Sequence, residues 1–448
     1  MISLDEIVQK TQQAQKLYSS FSQDKVDKIF YHAAIAATKA RIILAKEAVD
    51  ETQMGVLEDK VIKNHFSSEF IFNKYKAYQT CGVFEYDEAG GLFKSYEPLG
   101  VIAGIVPTTN PTSTVIFKAL LALKTRNGIV FSPHPRAKNC SIHAMKIILE
   151  AAVKAGAPEN IIGWIEEPDI ELTQQLMGHP NISLILATGG PGLVRSAYSS
   201  GTPAIGVGPG NVPAVIEKSA DLKMAVSSIL TSKTFDNGTI CASEQAIVCE
   251  EDVYEKVKDL LKNQNCFFLE GDEKNSLRNT LFHEGGLNSK IVGKSAYEIA
   301  SLAEISVDPK TKILIAEVEN VGNEEPFSME KLSPVIALYK GDDFEDCMNK
   351  AYELVRFGGM GHTAILHINP KERDKINAFS AKMPVARVLI NMPGAQGAIG
   401  DIYNYKLNPS LTLGCGSWGK NSIAENISVK HLLNTKTTAE RREAGFCF

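Results

Sequence analysis

The stretch GVIAGIVPTTNPTSTVIFKALLALKTR, residues 100–126, contains two elements and the joint between them. GVIAGIVP is a continuous apolar run of strand length. PTSTVIFKALLALKTR follows as a helix, and Pro111 suits its first turn, where a missing N–H leaves nothing unpaired. The polar TTN makes the joint. A strand that is apolar at every position has to be covered on both faces, as in a parallel sheet lying between helices.

Outward from this unit the alternation continues. GIVFSPHP (128–135), IIGWIE (161–166), ISLILAT (182–188) and PAIGVGPG (203–210) read as strands with helical segments between them. A second series starts near Cys241 with SEQAIVCE (243–250) and continues through KILIAEV, VIALYKG, HTAILHI and ARVLINMP, again spaced by helices. Strands separated in this way predict an α/β fold with two α/β domains. Their junction is expected near residues 236–241, and such junctions commonly hold ligands. Residues 1–76 have helical periodicity. Residues 77–98 read as a β-ribbon or arm, and residues 404–448, rich in Gly, Ser and Asn at their start, as a return segment and second arm.

The chain of 448 residues is 44% hydrophobic and 22% charged, the composition of an ordinary soluble globular protein. A net charge of −5 provides no global basic field for nucleic acid or an anionic membrane. No apolar run approaches the roughly 20 residues that span a bilayer, and the Met1 end lacks the apolar core of a secretory signal. The eight cysteines form no C-x-x-C pair, which favours free thiols in a reducing cytoplasm. The nine histidines show no paired spacing, so no metal site is expected.

Four segments could carry chemistry, and each has an ordinary alternative. GIVPTTNPTS (104–113) places a strand end beside a helix N-terminus, where open α/β sheets bind ligands, or is a plain turn capped by Thr and Asn. ATGGPGLVRSA (187–197) could admit a phosphate close to backbone, or be an empty tight turn. AIGVGPGNVP (204–213) suits either a close backbone approach or a sharp bend. Cys241, in KTFDNGTICASEQ (233–245), could be a core thiol, a metal ligand or a nucleophile at a loop end. His362, in GGMGHTA (358–364), reads by itself as a structural histidine.

Taken together, EPLGVIAGIVPTTNPTSTVIFKALLALKTRN, SPHPRAK, LILATGGPG, GVGPGNVP, KTFDNGTICASEQ, EKLSP and LTLGCGSWGKNS resemble the aldehyde dehydrogenase superfamily. The likeness is to its CoA-acylating branch, in particular the N-terminal half of bifunctional aldehyde-alcohol dehydrogenases. It implies a Rossmann-type dinucleotide-binding domain with the helical N-terminus (1–235), an α/β catalytic domain (236–403) and a small β oligomerisation arm. It implies Cys241 as nucleophile, Asn110 and the Cys241 N–H as oxyanion donors, and His362 near acyl transfer. It also places Ile105, Val106, Pro107, Thr108, Thr109, Asn110, Gly190 and Gly208 along a dinucleotide, Glu330 at the nicotinamide ribose and Leu413 nearby. A bifunctional relative would continue into an iron-dependent alcohol dehydrogenase, so this sequence reads as a stand-alone enzyme or as one half.

The implied chemistry needs these residue types. A thiolate is nucleophilic near neutral pH where a hydroxyl is not. The thiohemiacetal oxyanion gains about 3–4 kcal/mol from each aimed donor. Hydride leaves to NAD, and the thioester on Cys241 awaits an acceptor. Hydrolytic relatives carry a glutamate in an ELGGK-type segment to activate water, whereas Gly206 stands at that point here. Without that base water loses about 10²–10⁴-fold, while a thiol needs less help, so coenzyme A is the expected co-substrate. The expected substrate is a short aldehyde, acetaldehyde first, and the expected assembly a homo-oligomer, dimer or higher. NAD is favoured over NADP by resemblance, the lysine common in hydrolytic relatives being replaced near Ser132, Pro133 and His134. The rival readings are a hydrolytic dehydrogenase and a non-catalytic scaffold.

Overall fold

The computed structural model describes residues 2–283 and 286–441. The strand read at residues 100–107 forms as Val101–Ile105, buried at all five positions. It sits at the centre of a five-stranded parallel sheet, ordered Ile162–Trp164, Gly128–Ser132, Val101–Ile105, Ile182–Thr188 and Ala204–Val207. The helix Pro111–Lys124 is buried over its whole length. It lies between this sheet and the 30-residue helix Gln23–Thr52, whose alanine-rich face lets the two approach closely. That enclosure leaves Lys118 without water. Its ammonium donates to the carbonyls of Ile105 (2.6 Å) and Leu186 (2.8 Å), tying together the ends of two central strands. Burial pushes its pKa down to about 7.

A seven-stranded parallel sheet runs Cys266–Phe268, Ile313–Glu317, Val335–Gly341, Glu244–Glu250, Val212–Ile216, Gly361–His367 and Val385–Ile390. The chain therefore passes from one sheet to the other between Val207 and Val212, ahead of the division at residue 235 expected from sequence. Val212–Ile216 is apolar on both faces, so its sequence suits either sheet and only non-local pairing decides.

The ribbon expected at 77–98 forms strands Gly82–Asp87 and Leu92–Pro98, joined by Leu433–Ala439 from the far end of the chain. Phe84 and Tyr96 stack across it at 3.8 Å. Residues 442–448 of the expected C-terminal arm lie outside the described residues. Among the described residues no helix is long and apolar enough to cross a membrane.

Candidate active site

In the five-stranded sheet the chain leaves Val101–Ile105 toward Gly128–Ser132 on one side, and leaves Ile182–Thr188 toward Ala204–Val207 on the other. Connections that diverge from adjacent strands open a crevice beyond their carboxyl ends. A cavity of about 800 Å³ lies there. Its walls include residues 105–110, Gly190, Gly208, Cys241, Glu330 and Leu413, which brings together every residue expected in catalysis or dinucleotide binding except His362. His362 is fully buried directly behind Cys241.

Two helix N-termini meet the cavity. Pro111–Lys124 starts at Asn110, whose side chain makes no capping bond, and Pro191–Ser199 starts at Gly190, which has none to make one. On the second of these helices the first-turn residues Gly192 and Leu193 line the cavity, so their N–H groups are left for a ligand. A Cβ at Gly190, Gly192 or Gly208 would meet nothing within 4 Å, so the backbone there is open to close approach. Uncapped amides beside bare backbone fit the phosphates of a dinucleotide.

Cys241 is half-buried, whereas the other six described cysteines are buried. It ends a loop that the chain enters through Asp236 and Asn237, both left-handed, with φ of 48° and 53°. Its Sγ lies 3.1 Å from His362 Nε2, and His362 Nδ1 lies 3.0 Å from Thr363 Oγ1. Gly210 passes so near that a Cβ there would sit 2.1 Å from the Cys241 carbonyl oxygen. Burial pushes the Cys241 thiol up to about 12, and the charge of Glu330 and then Cys415 add to this. The imidazole is held well below its usual value by burial and by Arg387. The resting pair is therefore a thiol against a neutral ring.

The remaining groups frame this pair. Asn110 Nδ2 lies 3.1 Å from Thr109 Oγ1 and 3.4 Å from the Thr239 carbonyl, and its Oδ1 accepts from Lys63 Nζ at 2.6 Å. Glu330 accepts from the Gly210 N–H at 3.0 Å, and burial raises it to about 7. Buried Arg387 donates to the carbonyls of His362 (2.8 Å) and Gly414 (2.9 Å), and 3.4 Å separates it from that of Leu413.

Gly206 is enclosed. The Tyr198 hydroxyl accepts from its N–H at 2.9 Å, and a Cβ at 206 would stand 2.9 Å from the Tyr198 ring and from Val194. The carboxylates on the cavity wall are Glu330 and Asp169, and Asp169 caps the Leu172 N–H at 2.7 Å. Sequence reading missed Lys63, Thr363 and Arg387. Lysines three apart on a polar helix read as a solvated face, and an arginine in a strand carries no local signal.

Parallel sheets with a switch-point crevice, and a thiol and a side-chain amide facing one cavity, define an α/β protein with a candidate active site. Residues 3–272 match the model of the aldehyde dehydrogenase family, and the chain belongs to that family. It is 57% identical over 98% of its length to an aldehyde-alcohol dehydrogenase of Clostridium acetobutylicum, of which the match covers 51%. It thus spans about half the length of the first curated relatives it matches. An acetylating aldehyde dehydrogenase structure from Geobacillus thermoglucosidasius superposes with a TM-score of 0.96 at 45% identity, over 99% of this chain and 97% of that one. A propionaldehyde dehydrogenase of Rhodopseudomonas palustris, solved with bound CoA and an acylated cysteine, superposes with a TM-score of 0.85 at 28% identity, over 98% and 97%.

Proposed function

We propose that this chain catalyses the reversible, NAD-dependent oxidation of a short-chain aldehyde, acetaldehyde first, with transfer of the acyl group to coenzyme A. The observation that carries acylation over hydrolysis is Gly206. Tyr198 and Val194 fill the space a glutamate there would enter, so no carboxylate is aimed at a water from that point. The relative with bound CoA and an acylated cysteine supports the same reading.

Residues 105–110, Gly190, Gly208 and Glu330 would hold the dinucleotide, which supplies the hydride acceptor when bound. Cys241 loses its proton toward His362 Nε2 and adds to the aldehyde carbon. Arg387 opposes a lasting imidazolium, so His362 releases that proton to water and is neutral again before coenzyme A arrives. Asn110 Nδ2 and the Cys241 N–H stabilise the oxyanion. Loss of hydride leaves a thioester on Cys241. The thiol of coenzyme A then gives its proton to His362, its sulfur bonds to the acyl carbon, and the Cys241 sulfur leaves and takes that proton back from His362 Nε2.

We infer further that the five-stranded sheet is the dinucleotide domain and the seven-stranded sheet the catalytic one. We also infer that the three-stranded arm joins subunits and that the protein works in a reducing cytoplasm, which its free thiols suit. The reading is tested by following NADH with acetaldehyde and NAD while CoA is omitted or added. CoA-dependent turnover giving acetyl-CoA is expected. Acetate formed equally well without CoA would mean a hydrolytic enzyme.

A further inference from the structure

We propose that Lys63 is a positioning residue for the oxyanion pocket, fixing which end of the Asn110 carboxamide faces the reacting carbon. The proposal rests on the reading of Asn110 as an oxyanion donor. The two ends of a carboxamide have nearly the same shape, so its orientation is set by what surrounds it. An ammonium can only donate. The Asn110 atom lying 2.6 Å from Lys63 Nζ must therefore be the oxygen, and the NH₂ must turn the other way, toward Thr109 Oγ1 and the Thr239 carbonyl beside Cys241. The opposite orientation would press N–H groups against a cation.

Lys63 is itself firmly held. It lies on the helix Leu57–His65, is 4% exposed and reaches the cavity wall. Asp236, fully buried, accepts from Lys63, from Lys60 at 3.0 Å, from Thr239 Oγ1 at 2.8 Å and from the Val56 N–H at 2.8 Å. Lys63 also donates to Thr239 Oγ1 at 2.9 Å, and Lys60 donates to the Thr109 carbonyl at 3.0 Å. Two lysines one turn apart thus grip both walls of the pocket, the loop ending at Asn110 and the loop leading to Cys241. A simple surface tether would use one lysine and leave the amide alone. Here the cation touches the amide oxygen, which withdraws charge from the NH₂ and strengthens it as a donor.

The groups facing Lys63 are Asp236, Asp59, Lys60, Thr239, Asn110 and, 5.7 Å away, the Phe235 ring. Burial outweighs Asp236 and lowers Lys63 to about 8, so it is charged at neutral pH and loses that charge just above.

The test is a double-mutant cycle of K63M and N110A on the pre-steady-state NADH burst with acetaldehyde and NAD in the absence of CoA. K63M is expected to slow the burst by about tenfold or more at saturating aldehyde, with KM changed less than about threefold. In the N110A background K63M should add less than about twofold, because the group it positions is gone. The ratio of wild-type to K63M burst rates should fall as pH rises through about 8. Alkylation of Cys241 by iodoacetamide builds no oxyanion and should proceed at the wild-type rate in K63M. Should K63M not fold, K63R enters the same cycle with a smaller loss, about threefold, and the same non-additivity. Losses that multiply independently, or a K63M burst at the wild-type rate, would overturn the proposal. A wild-type burst in N110A would instead overturn the reading of Asn110 on which it rests.

Discussion

Glu330 and Cys241 share one cavity wall, and the Glu330 charge raises the free energy of the Cys241 thiolate. Glu330→Gln removes a negative charge beside the sulfur, so the thiol pKa must fall. At pH 8, where Glu330 is ionised, iodoacetamide should label Cys241 about three- to tenfold faster in E330Q, the effect of roughly half to one pKa unit. Below pH 6, where Glu330 already holds its proton, the two proteins should label alike. Equal rates at both pH values would show that the Glu330 charge does not reach the sulfur. Cys241→Ser should abolish the NADH burst while dinucleotide binding, followed by fluorescence quenching, persists. At this scale the sequence was legible where a residue sits in a recognisable loop, as Cys241 and Asn110 do. It was silent on Lys63 and Arg387, whose roles exist only through partners at least 47 and 24 positions away along the chain.

Elements decide where those residues can go. The strand at 101–105 and the helix at 111–124 were legible because each has an unbroken apolar signal. Which sheet Val212–Ile216 joins was not, since a strand buried on both faces carries no register of its own. The same enclosure predicts that Gly206→Glu will not create a hydrolase. The new side chain meets Tyr198 before it reaches the cavity, so the product should remain acyl-CoA and thermal stability should fall. Release of free acetate by G206E would contradict this. Glu244 opens the strand Glu244–Glu250 fully buried, and burial raises it from 4.5 to about 7. Stability from this group is therefore full below pH 4.5 and lost as pH rises to about 7. Glu244→Gln keeps an acceptor for the Gly394 N–H and removes the charge. Its advantage over wild type in denaturant melts should be absent at pH 4.5 and grow to at most about 3 kcal/mol at pH 8.

At the scale of the whole molecule, two parallel sheets meet at one cavity, and a three-stranded arm closes the chain by pairing Leu433 with Pro98. Truncation after residue 432 removes the strand Leu433–Ala439 and exposes the edge of Leu92–Pro98. If the arm joins subunits, the truncated protein should run as a smaller species by light scattering, and unchanged mass would remove the arm from the interface. The central claim concerns the covalent hand-over at Cys241, and intact-protein mass spectrometry reads it directly. Incubated with acetaldehyde and NAD in the absence of CoA, the protein should gain one acetyl group that maps to Cys241 and disappears on addition of CoA, with acetyl-CoA released. A protein that stays unmodified, or an adduct that water removes as fast as CoA does, would contradict the account.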